Sequence, residues 1–217
     1  MASKVEIANR ALTKLGAERI LLLSDPSKEA RTLNSMFDTV VDAETRRYRW
    51  KFALKRSSLP ALAAAPAWGY QFAYQLPADF LALVQVNDVY VRGLKQKAPW
   101  SGEAGTILTD YEAPLKLRYI ARVADITLVD PLFVEVLACK LAMESAETLT
   151  QSSQKRQLAG EEYKFAVSEA VRMDAIENPP DELPWGSWFD SREGYSGTAS
   201  GPGAGSVNDL NSSWNVV

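Results

Sequence analysis

The sequence predicts an α+β protein: a helical bundle of two N-terminal and two C-terminal helices, an inserted antiparallel β-rich region, and an extended C-terminal tail. Three observations predict it. Apolar residues recur at helical spacing over residues 3–48 and again over 130–176. Short alternating or apolar runs, broken by Pro and Gly, fill about 52–126. The last 40 of the 217 residues have the composition of a linker. The organisation is therefore a body over 1–177 and a tail over 178–217.

The first helix opens on a capping box, Ser3 with Glu6, and carries Val5, Ala8, Leu12 and Leu15 on one face. Gly16 is a natural stop. Ser24-Asp25-Pro26-Ser27 makes a turn and a second N-cap, after which Ala30, Leu33, Phe37, Val40 and Val41 continue a helical stripe to about Tyr48. The period then changes. Tyr70 to Leu76, Leu81 to Val91, Thr106 to Thr109 and Leu115 to Ile120 read as strands, with Pro77, Gly93, Gly105 and Pro114 as breaks. No helical crossover fits between these runs, so the pairing is antiparallel.

Asp130-Pro131 restarts helix with an N-cap acid and a proline at the first position. From Leu132 to Met143 only Glu135 and Lys140 are charged. A helix apolar nearly all round must be buried, either in a bundle core or under a neighbouring subunit, and Leu132, Phe133, Val136, Leu137 and Leu141 are its packing residues. Leu149 to Ser153 reads as a short link. The last helix runs to about Ile176, with Tyr163, Val167 and Ala170 on one stripe and Gly160 as a weak point.

Asn178-Pro179-Pro180 ends the body. Of the 40 residues from 178 onward, 21 are Gly, Pro, Ser or Asn, yet the segment holds three of the six tryptophans. The burial of a few aromatic side chains returns less than the backbone entropy of ordering 40 residues, so the tail needs a partner surface to order it. Aromatic anchors suit such a surface, and Trp185, Trp188, Phe189, Tyr195 and Trp214 are the candidates.

Composition excludes several chemistries. The chain has no histidine, which removes Ser-His-Asp and Cys-His sites and every His-ligated metal. The lone Cys139 allows no intrachain disulfide or Cys-rich metal site, and among Leu137, Ala138 and Leu141 it reads as an inert buried thiol. No cofactor or metal is expected. The net charge is −3, and five acids against one base place the excess in the tail. No signal peptide or run of about 18 apolar residues is visible, so the reading is a soluble protein made in the cytoplasm.

Two local clusters invite functional readings. Arg46 to Arg56 holds six bases interleaved with Tyr48, Trp50 and Phe52, like a platform for single-stranded nucleic acid. The stronger reading is structural: Arg46 and Arg47 complement a helix C-terminus, and the three aromatics alternate with Arg47, Arg49 and Lys51 as in a half-buried strand. Carboxylates could cleave a glycoside, but Asp42 with Glu44 and Glu161 with Glu162 do not face each other at their helical spacings. No enzyme signature survives, and a binding or assembly role remains.

Six segments, in order and spacing, resemble one family. They are Asn9-Arg10-Ala11-Leu12 with Leu15-Gly16; Trp50-Lys51-Phe52-Ala53; Tyr74-Gln75-Leu76-Pro77-Ala78-Asp79-Phe80; Leu117-Arg118-Tyr119-Ile120; Asp130 to Glu135; and Leu137-Ala138 with Leu141-Ala142. Over residues 5 to 175 the chain resembles the tail tubular protein A family, the head-to-tail connectors, or adaptors, of short-tailed bacteriophages (podophages).

The resemblance implies a structural virion protein rather than an enzyme. It implies a ring of about twelve copies between the portal protein and the tail nozzle protein, with phage DNA passing through the lumen without sequence-specific binding. In related adaptors a C-terminal extension docks on the portal, which would give the aromatic tail its partner. The β-rich region would meet the nozzle. A ring of copies each at −3 would present DNA with a mostly repulsive wall, suited to ejection. The competing reading is a virion-associated polysaccharide or peptidoglycan hydrolase acting through carboxylates.

Overall fold

The computed structural model describes residues 2–91 and 98–177. It is a mixed α+β structure with four helices and two antiparallel sheets. In chain order these are α1 (Lys4–Leu15), α2 (Lys28–Arg47), β1 (Leu54–Leu59), β2 (Phe72–Gln75), β3 (Phe80–Val86), β4 (Val89–Tyr90), β5 (Trp100–Glu103), β6 (Thr106–Thr109), β7 (Leu115–Ala121), α3 (Pro131–Thr150) and α4 (Ser153–Glu177).

The helix ends form as the sequence predicts. Ser3 accepts from Glu6 N while the Glu6 side chain accepts from Ser3 N, and Gly16 closes α1 at φ +65°. Ser27 and Asp130 cap α2 and α3 through their side chains. The link between α3 and α4 is shorter than expected, because α3 continues through Thr150 and leaves only Gln151, at φ +53°, and Ser152 between the helices.

Helix α3 packs against each of the other three helices. That geometry explains a helix with almost no polar face: Phe133, Val136, Leu137 and Leu141 are completely buried, and Leu132 is half-buried at its start. Ile7 and Leu12 of α1, Leu33 and Phe37 of α2, and Tyr163 and Val167 of α4 meet it in one core.

One sheet has the order β1-β7-β3-β4 and the other β2-β6-β5. The central strand β7 serves two cores by alternation. Leu115, Leu117, Tyr119 and Ala121 join Tyr74, Trp100 and Ile107 of the second sheet, while Ile120 joins the helical core. In β3 the pairing shifts register between Leu83 and Gln85, and Val84 goes to the helical core while Val86 goes to the sheet core.

Three details differ from the sequence reading. Strand β1 replaces the strand expected around residues 47–52, which instead hold the end of α2 and a 3-10 turn at Lys51–Ala53. Trp50 and Phe52 pack in the manner described below, so alternation there reflected an aromatic anchor and not a strand. Strand β5 has no alternating signal in Trp-Ser-Gly-Glu; it exists because it pairs with β6. Leu81 to Val91 is a hairpin, since Asn87 at φ +49° turns the chain after β3.

Candidate docking surfaces

The residues expected to bind a partner lie in two places. Trp185, Trp188, Phe189, Tyr195 and Trp214, with the whole tail from 178, are outside the described residues, as is the expected break at Gly93. Phe133, Val136, Leu137 and Leu141 are inside the chain's own core, so their side chains present nothing to a neighbour.

The basic aromatic segment is an internal joint. Trp50 is buried, its Nε1–H donates to Glu44 O at 3.0 Å, and its ring lies 5.1 Å from Phe133. The Phe52 ring is 4.8 Å from the same Phe133. Trp50 and Phe52, turned onto α3, are not available to stack on bases, and Tyr48 packs edge-on to Trp50 at 5.6 Å, which favours the structural reading of this segment. Arg47 donates to Tyr163 Oη and lies 3.7 Å from Glu44, which is itself buried and accepts from Tyr163 Oη–H at 2.8 Å. Tyr163 is pushed above the ordinary tyrosine range by burial and by the Glu44 carboxylate. Arg47 is likewise raised, chiefly by Tyr163.

Of the carboxylates considered for hydrolysis, Asp42, Glu44 and Glu162 are engaged, and Glu161 is exposed. Arg122 grips Asp42 through Nε and Nη2, with Nε–Oδ2 at 2.9 Å and Nη2–Oδ2 at 2.9 Å. Glu162 pairs with Lys14 at 3.2 Å. Lys14 also reaches Glu135 at 2.7 Å, and Arg10 completes that cluster. Burial acts to raise Glu135, but Lys14 and Arg10 outweigh it and hold the carboxyl below its usual range. Burial pushes the Cys139 thiol up to about 11, so it stays protonated and unreactive at neutral pH. No group of three or more acidic or cysteine ligands is placed to hold a metal among the described residues. No helix among them is long and apolar enough to cross a membrane.

What the surface does offer is exposed apolar side chains on rigid supports. On α4, Leu158, Phe165 and Ile176 are 58%, 70% and 67% exposed. Their spacings of seven and eleven residues put them on one ridge, opposite the buried Ala159, Tyr163, Val167 and Ala170. The sequence signal was present but overshadowed, because the inward stripe accounted for the helix by itself. A second feature is the loop between α1 and α2. Asn9 clamps Ile20 through both main-chain atoms, at 2.9 and 2.8 Å, and Asp25 Oδ2 accepts from Leu21 N and Leu22 N. The tied loop holds Leu21 and Leu22 out to solvent. Trp68, on the loop between β1 and β2, is also exposed.

A cleft of about 420 Å³ opens where the C-terminus of α2, strand β3 and the last turns of α4 meet. Arg46, Arg47 and Arg49 line one side, and Val84, Val91, Ile120 and Val171 contribute apolar wall. Asp174 is its acidic member; it accepts from Lys51 N at 3.2 Å, and burial pushes it up.

Compared with known proteins, the chain matches no protein-family model and no curated protein sequence.

Proposed function

We propose that this chain is a head-to-tail adaptor of the tail tubular protein A kind, a structural component of a short-tailed phage virion and not an enzyme. In that reading the four helices form a bundle with an inserted β-rich region and an extended tail. About twelve copies make a ring between portal and nozzle, through which DNA passes.

The observation that carries the reading is the exposed ridge of Leu158, Phe165 and Ile176, on a helix whose other face already completes the core. Three exposed apolar side chains aligned on one face, with Glu162, Glu169 and Arg172 between them, suit a mixed apolar and charged surface that another protein covers. A ring supplies that cover at every subunit. The order of elements, helices then antiparallel strands then helices, agrees with the order of the family-like motifs. Trp185, Trp188, Phe189, Tyr195 and Trp214 are the proposed portal anchors, and the β-rich region, with the exposed Trp68, faces the nozzle.

The test is the particle mass of the protein, alone and mixed with the portal protein from the same genome. Growth from 23.9 kDa to a roughly twelve-copy ring on the portal is the expected result. A chain that remains monomeric and ignores the portal would overturn the reading. A variant ending at Asn178 tests the tail: it should fold but lose portal affinity, and unchanged affinity would rule out the tail anchors.

A further inference from the structure

The cleft at the end of α2 has a character that neither the core nor the ring reading uses. Three arginines line it against one acidic residue, Asp174. Arg47 is already committed to Glu44 and Tyr163. Arg46 is exposed and has no ion pair with any described residue. It stands in the last turn of α2, where a guanidinium complements the helix C-terminus, and it lines the cleft while remaining exposed. Beside these cations, Val84, Val91, Ile120 and Val171 form an apolar wall, with the buried Trp50 behind.

We propose that this cleft is a docking subsite for an acidic peptide segment carrying an apolar anchor residue, contributed by another protein chain. Charge complementarity selects the occupant. Carboxylates match the planar fork of Arg46 in a bidentate pair, and an aliphatic or aromatic side chain between them fills the valine- and isoleucine-lined wall. A sugar-phosphate backbone would satisfy the arginines but leave that wall without a partner. The proposal does not depend on ring formation.

The experiment is fluorescence anisotropy with the full-length protein and a labelled Glu-Glu-Leu-Trp-Glu-Glu peptide. Saturable binding is expected, weakened about tenfold in Arg46→Glu, because the charge reversal replaces attraction for the peptide carboxylates by repulsion. Replacing Leu-Trp by Gly-Gly in the peptide should weaken it by a similar factor. Arg46 is exposed, so its variant should melt with the wild type, which separates lost binding from lost folding. Three results would overturn the proposal: no binding, equal binding to Arg46→Glu, or equal binding of the Gly-Gly peptide. Tighter binding of a ten-residue oligothymidine at the same salt would also overturn it, in favour of a nucleic-acid site. Particle mass is read separately, so a failed subsite and a failed adaptor are distinguishable.

Discussion

Asp79 receives a hydrogen bond from Lys55 Nζ at 2.6 Å and from Tyr119 Oη at 2.9 Å, while its main-chain oxygen accepts from Arg122 N at 2.7 Å. One residue of the Leu-Pro-Ala-Asp-Phe stretch thus ties the entry of β3 to β1 and β7. The Lys55 hydrogen bond and Tyr119 hold the carboxyl below its usual range against the effect of burial, and Tyr119 is pushed up to about 12 by burial and by Asp79. A depressed acid contributes stability above its unfolded pKa, near 3.9, and loses it as pH falls through the lower folded value. Asp79→Asn should therefore cost about 1 kcal/mol at pH 7, discounted for a partly exposed side chain. The gap from wild type should close below about pH 4 in urea titrations at a series of pH values. A second residue, Gly160, sits where α4 crosses α3. A Cβ there would meet Met143 Sδ at 3.6 Å, ordinary contact, so nothing demands glycine. Gly160→Ala should raise stability by about 0.5–1 kcal/mol, visible as a higher thermal midpoint.

Among the elements, α3 is the one on which the others depend. The ring of Phe133 touches those of Trp50 and Phe52, so the joint between α2 and β1 is fastened to α3 by aromatic packing. Phe133→Ala leaves a cavity under both rings and should cost about 3–5 kcal/mol, measured by denaturant unfolding. The same contact explains why the Trp-Lys-Phe-Ala motif looked like a strand. Aromatics two apart satisfy a period of two, yet here one precedes a 3-10 turn and the other sits within it, and both rings reach back to Phe133. Strand β5 shows the opposite failure. Its Gly102 and polar neighbours carry no alternation, and its existence rests on pairing with β6 through the two-residue turn Ala104-Gly105, both at positive φ.

For the molecule as a whole, the outward ridge of α4 is the feature that self-sufficient folding leaves unexplained. Exposed substitutions seldom move stability by more than about 0.5 kcal/mol. Phe165→Glu combined with Ile176→Lys should therefore leave the unfolding midpoint nearly unchanged. In the adaptor reading the same pair should abolish contact between copies, read by light scattering as the loss of growth beyond the monomer in the protein alone and of ring-sized growth on the portal. A loss of fold would assign these side chains to the core; an unchanged assembly would move the subunit contact elsewhere.

The α+β class, the helix limits at Ser3, Gly16, Ser27 and Asp130, and the burial of the apolar stretch after Pro131 were all legible in the chain, because each depends on local chemistry: a cap, a left-handed glycine, a periodicity. Strand β6 was legible for the same reason, with turn residues on both sides. The division of β7 and β3 between two cores was not. Neither was the pairing that makes β1 and β5 strands, nor the inward turn of Trp50, nor the meeting of Arg46 with Val84, Ile120 and Val171 in one cleft. Those depend on contacts between residues far apart in the chain, whose register and direction are set only when the helices and sheets close on each other. The ridge of α4 lies between the two cases. Its spacing was written in the sequence, but only the packed inner face of the helix shows that Leu158, Phe165 and Ile176 are left outside.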